Sequence, residues 1–115
     1  EISSYLKMYL NKASFEITNQ SLKSLWKTTD IVYASNMTSS GLEALLMGLP
    51  TIVYLDHNSI NLSPVIDFDE AMFASNSQDF KYFIEHPSFP KSNNDFLCLD
   101  KNLTRWKDLL VPNYN

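Results

Sequence analysis

The sequence predicts an α/β fold, with a small parallel sheet flanked by helices. Two observations carry this. The runs "DIVYAS" (30–35) and "TIVYL" (51–55) are short, continuous and rich in β-branched and aromatic residues, as strands buried on both faces are. Segments of about ten residues with helical spacing separate such runs, so successive strands are joined by crossovers and lie parallel.

Taken in order, "ISSYLKMYLNK" (2–12) places Ile2, Leu6, Tyr9 and Leu10 at helical spacing. "SFEIT" (14–18) alternates Phe15 and Ile17 and reads as a short strand. "SLKSLWKTT" (21–29) is a helix with Leu22, Leu25 and Trp26 on one face and Ser21 as N-cap. Strand 30–35 follows, then the loop "NMTSS", then a helix over 40–47. Gly48 ends that helix and Pro50 prevents its continuation. After strand 51–55, "DHNSINLSPVIDFDE" (56–70) is polar and irregular. "MFAS" (72–75) reads as a third core strand. "SQDFKYFIEH" (77–86) is a helix with Ser77 as N-cap and Phe80, Phe83 and Ile84 as its apolar face. A loop (86–95), a short strand "FLCL" (96–99) and a closing helix "NLTRWKDLL" (102–110) complete the chain, with Trp106 in the core. The expected architecture is Rossmann-like, in three layers.

The chain has 115 residues, 44% of them hydrophobic, which suits one domain spanning 1–115 with a single core. Its net charge of −4, with no basic run, argues against a nucleic-acid-binding face. One cysteine, Cys98, excludes an internal disulfide, and there is no Cys/His metal spacing. No signal peptide and no run of eighteen apolar residues is present, so a cytoplasmic chain without a transmembrane segment is expected. The start at Glu1 suggests a piece of a longer protein.

Both glycines, Gly41 and Gly48, fall within "SNMTSSGLEALLMGLPTIVYLD" (35–56). In open parallel sheets, ligands bind beyond the carboxyl ends of the strands, and "NMTSS" follows strand 30–35 at that edge. The helix behind it offers unpaired backbone N–H groups to an anion. Thr38, Ser39 and Ser40 add hydroxyls there, and Gly41 would keep the approach uncrowded. Glu43 shares a helix face with Ser39 and Ser40, where a carboxylate can accept hydrogen bonds from ribose hydroxyls. The pattern therefore fits a nucleotide site. Ser40-Gly41-Leu42-Glu43 is also a capping box, the commoner occurrence on spacing alone.

The stretch "TDIVYASNMTSSGLEALLMGLPTIVYLD" resembles the donor-nucleotide segment of glycosyltransferases built from two Rossmann-like domains, the GT-B fold. Asp30, Ser35, Thr38, Ser39, Ser40, Glu43, Ala44, Gly48 and Pro50 carry the resemblance. The closing "FLCLDKNLTRWKDLL" and the loop "YLDHNSINLSP" are similar to segments of bacterial surface-carbohydrate biosynthesis proteins. The resemblance implies the C-terminal, donor-binding half of such a transferase. Its ligand would be a nucleotide sugar, its partner an N-terminal domain of the same protein, and it would need no cofactor. Thr38 to Gly41 would hold the phosphates and Glu43 the ribose. Asp56, Asn58, Asn61 and Ser63 would form a donor-pocket loop, each of them equally readable as plain loop residues. The Gly-rich turn that usually opens this half is missing before Phe15, which leaves part of the phosphate site outside the chain. A sugar-nucleotide 2-epimerase of the same fold, or a non-catalytic module in carbohydrate assembly, are the alternative readings.

Asp56-His57 lacks a third ligand and reads as a polar loop rather than a metal or acid/base site. His86 at a helix end suits the helix dipole and reads as structural.

Overall fold

A computed structural model of the chain describes residues 12–91 and 102–110, with Ser4, Lys7 and Met8 as isolated positions. Apart from those positions, the expected helix over 2–12 lies outside the described residues, as does the expected strand over 96–99. Three strands, β1 (Val32–Ser35), β2 (Thr51–Tyr54) and β3 (Met72–Ala74), form one sheet in the order β1-β2-β3. Both pairings are parallel, with Val32 opposite Thr51 and Ile52 opposite Met72. The fold is a small Rossmann-like α/β domain, and β2 is its central strand.

Strand alternation sorts the side chains onto two faces. Val32, Ala34, Thr51, Val53 and Phe73 face one way. α2 (Ser40–Leu46) covers that face, and its Leu45 packs with Val53 and Val65. Ile52, Met72 and Ala74 face the other way and are covered by Phe80 and Phe83 of α3 (Ser77–Glu85). Tyr33, Ser35 and Tyr54 share that second face. Helices on both faces of the sheet make the expected three layers.

The connection from β1 to β2 runs through α2, and its end is well determined. Gly48 takes a left-handed φ of 81°. This lets the Gly48 amide donate to the Leu45 carbonyl and the Leu49 amide to the Ala44 carbonyl, each at 3.0 Å. The pair is a Schellman motif, which satisfies carbonyls the helix would otherwise leave open. Pro50 follows, and its carbonyl accepts from the Val32 amide at 2.9 Å.

Several expectations need correction. Residues 14–18 form no strand: Ile17 is exposed, and the segment pairs with none of the three strands. The helix expected over 21–29 is α1 (Leu22–Leu25) followed by a 3-10 turn (Trp26–Thr28). The Thr29 hydroxyl donates to the Leu25 carbonyl at 2.8 Å, competing with helix continuation there. The N-cap of α3 is Asn76, not Ser77: its Oδ1 accepts from the Gln78 and Asp79 amides. The last helix, α4 (Thr104–Leu110), leaves Trp106 59% exposed, so this tryptophan is not a core residue. The two core clusters close around the sheet with side chains from α2, α3 and the segment before β3.

Candidate functional site

β1 and β2 are parallel, so their carboxyl ends lie at the same edge of the sheet and their following loops meet there. A cleft of about 730 Å³ opens between these loops. Ser35, Asn36 and Met37 form one wall as β1 ends. Tyr54 and Asp56 form the other as β2 ends, and Asn58, Ser59, Ile60 and Leu62 close it. The lining mixes apolar side chains with a few polar groups, the usual make-up of a small-molecule site.

The walls are tied together. The Asn36 side-chain amide donates to the Ile60 carbonyl at 3.0 Å. Asp56 shapes the loop on its side, its Oδ1 accepting from the Asn58 amide at 3.0 Å. Asp56 and Asn58, expected in a donor pocket, do line the cleft. Asn61 and Ser63 do not. Asn61 Oδ1 accepts from the Ser63 amide at 3.0 Å, and Ser63 is buried at 4% exposure with its hydroxyl towards the Val65 amide. These two build the turn that drives Val65 into the core.

Thr38, Ser39, Ser40, Gly41 and Glu43 lie beside the cleft rather than in its lining, directly after Met37 in the chain. Ser40 is the first residue of α2, and Ser39 holds the N-cap position with helical dihedrals and no side-chain cap bond. The capping box read from Ser40 and Glu43 is therefore not formed. Instead the Thr38 hydroxyl accepts from the Ser40 amide at 3.2 Å and pairs with the Ser40 hydroxyl at 2.8 Å. Glu43 is exposed, and its amide donates to the Ser39 carbonyl at 3.0 Å.

The room expected at Gly41 faces inward. A β-carbon there would meet Ala34 Cβ at 3.4 Å and Thr51 Cγ2 at 3.6 Å. The missing side chain thus lies against the sheet and clears no path for a ligand.

Sequence reading missed Asn36 and Tyr54 as site residues. Asn36 looked like one more polar loop residue, and Tyr54 looked like strand core. Only the pairing of Ser35 with Tyr54 across β1 and β2 brings them to one cleft. The His86 ring, at the end of α3, stacks on Tyr82 with centroids 4.6 Å apart, and the His86 amide donates to the Tyr82 carbonyl. Among the described residues, no group of three or more His, Cys, Asp or Glu side chains could hold a metal ion. No described helix is long and apolar enough to cross a membrane.

Compared with protein-family models, curated proteins and solved structures, the chain has no match.

Proposed function

We infer that this chain is the donor-nucleotide-binding domain of a GT-B-type glycosyltransferase that builds bacterial surface polysaccharide. The observation that carries the reading is the cleft at the carboxyl edge of a parallel sheet, where open α/β folds bind their ligands. The resemblance of residues 29–56 to a donor-nucleotide segment names the ligand class.

In this reading the nucleotide base occupies the cleft against Asp56 and Asn58. The phosphates rest on the turn from Thr38 to Gly41, exchanging the bonds that the Thr38 and Ser40 hydroxyls make with each other. Donors aimed at that position stabilise the leaving nucleotide as negative charge develops on it. Glu43 accepts from the ribose. The acceptor and the catalytic base come from the N-terminal domain of the same protein, and the enzyme works in the cytoplasm, where nucleotide sugars are made. The chain by itself binds nucleotide without turning it over.

The test is an amide chemical-shift titration with CMP, UDP and GDP. One nucleotide should move the amides of Thr38 to Glu43 together with those of the 56–62 loop. Ser39→Ala combined with Glu43→Gln should abolish the Thr38–Glu43 shifts. If all three nucleotides leave every one of these amides unmoved at millimolar concentration, the reading fails.

A further inference from the structure

A second cavity, of about 320 Å³, lies on the sheet face that α3 covers. It is at the lower end of the size range of small-molecule sites. Tyr33 of β1, Tyr54 at the end of β2 and Phe80 of α3 supply three aromatic rings to its lining, and Ala74, Asn76 and Ser77 complete it. Strand register explains why the rings converge. Tyr33 stands opposite Ile52 and Ser35 opposite Tyr54, so the two tyrosines are diagonal neighbours on one face. Ala74, opposite Tyr54 on the other side, carries only a methyl group and leaves the space beside it open.

Phe80 meets Tyr33 edge to face, with centroids 5.2 Å apart and planes at 83°, so the two rings stand as perpendicular walls. α3 packs Phe80 and Phe83 onto Ile52, Met72 and Ala74, yet leaves Tyr33 57% and Tyr54 44% exposed. The lining holds no Asp, Glu, Lys or Arg. Burial, and secondarily the nearby Tyr54, push the Tyr33 phenol above its usual range, so it stays uncharged at neutral pH. The Asn76 side chain is engaged in capping α3 and in donating to Asp79 Oδ2 at 2.8 Å. An anion therefore finds no counter-charge here. A primary ammonium, which is strongly hydrated, would give up its water with no carboxylate to replace it. A cation whose charge is spread over methyl groups has no N–H to satisfy, and aromatic faces attract it through their quadrupole.

We propose that this pocket is a quaternary-ammonium site, taking the trimethylammonium head of a choline-like ligand between Tyr33, Tyr54 and Phe80. The three rings supply the attraction, and the missing side-chain volume at Ala74 supplies the room. The net charge of −4 on the chain favours the approach of a cation. The site lies on the sheet face opposite the one covered by α2, and so apart from the Thr38–Gly41 turn that leads into that helix. It stands whether or not the cleft binds a nucleotide.

The experiment titrates the chain with choline, with ethanolamine, and with dimethylbutanol, the neutral isostere of choline in which carbon replaces nitrogen. It reads the ring resonances of Tyr33, Tyr54 and Phe80 and the methyl signal of the ligand. Choline should move all three rings, and its methyl signal should shift upfield under their ring currents. Ethanolamine and dimethylbutanol should each bind several-fold more weakly. Tyr33→Leu should weaken choline several-fold, with a urea midpoint near the parent's to show that the fold is kept. Tyr33→Phe, which keeps the ring and removes the hydroxyl, should bind choline nearly as well as the parent. If dimethylbutanol binds as tightly as choline, the pocket reads methyl groups rather than charge and the proposal is overturned. Equal binding of ethanolamine, or rings unmoved by choline at tens of millimolar, would overturn it too.

Discussion

The side-chain amide of Asn36 donates a hydrogen bond to the carbonyl of Ile60 at 3.0 Å, joining two loops 24 residues apart in the chain. This bond ties one wall of the cleft to the other. It also fixes the amide so that Asn36 Oδ1 is buried without a partner among the described residues. The bond contributes about 1 kcal/mol, and an orphaned buried acceptor costs about 1–3 kcal/mol. The two effects oppose each other within one side chain.

Asn36→Ala removes both, so its stability should stay within about 1 kcal/mol of the parent. The 59–62 amides should exchange faster with solvent, because their tether is gone. Hydrogen exchange and denaturant unfolding check the two halves separately. Unchanged exchange at 59–62 would show that the bond does not hold the loop.

The two glycines should respond oppositely to alanine. At Gly48 (φ 81°) nothing lies within 4 Å of a new β-carbon, so the cost is backbone strain, about 1–2 kcal/mol. At Gly41 the nearest atom to a new β-carbon is 3.4 Å away, an ordinary contact. Removing a helix glycine there should stabilise the fold by up to about 1 kcal/mol. Thermal melts of the two variants should move in opposite directions, and a loss at Gly41 equal to that at Gly48 would contradict the packing described.

The start of α3 should be sensitive to pH. The Asp79 carboxylate is held below the ordinary 3.8, first by the Ser75 amide and then by the Ser75 hydroxyl. A lowered folded-state pKa means stability that is fully present above the unfolded value. It is lost as pH falls through the folded value. Asp79→Asn should therefore be less stable than the parent at pH 7, and the gap should close below pH 3.8. Asn76→Ala, which removes the cap itself, should cost about 1 kcal/mol, at neutral pH too.

Ile52 sits at the centre of the sheet at 1% exposure, between Met72 and Phe80. Ile52→Ala should cost about 2–5 kcal/mol. That is a large share of the stability of a domain this size, and urea unfolding should show it as a lower midpoint. A loss under about 1 kcal/mol would mean that the second core cluster repacks freely.

Much of the fold was legible locally. The strands at 32–35 and 51–54 were marked by β-branched and aromatic runs, the strand at 72–74 by a short apolar run, and the end of α2 by Gly48 and Pro50. Each of these signals acts within a few residues. The failures came where a partner decides. Phe15 and Ile17 alternate like a strand, but a strand needs a ladder beside it, and none of β1, β2 or β3 supplies one. Val65 lies in a polar stretch, yet the turn at Asn61 and Ser63 buries it fully. The α3 cap moved by one residue because Asn76 reaches the Gln78 and Asp79 amides.

The same division holds for the site. The sequence alone determined a parallel α/β sheet, the edge at which open α/β folds bind ligands, and the two loops that meet there, since chain order and crossover length dictate these. Tertiary structure alone decided which side chains face one another. Register set Ser35 beside Tyr54, and the Asn36 tether brought Ile60 to the end of β1. The packing of α3 left Tyr33 and Tyr54 open. Such contacts depend on which face each side chain takes, and a one-residue shift in pairing would reverse every one of them.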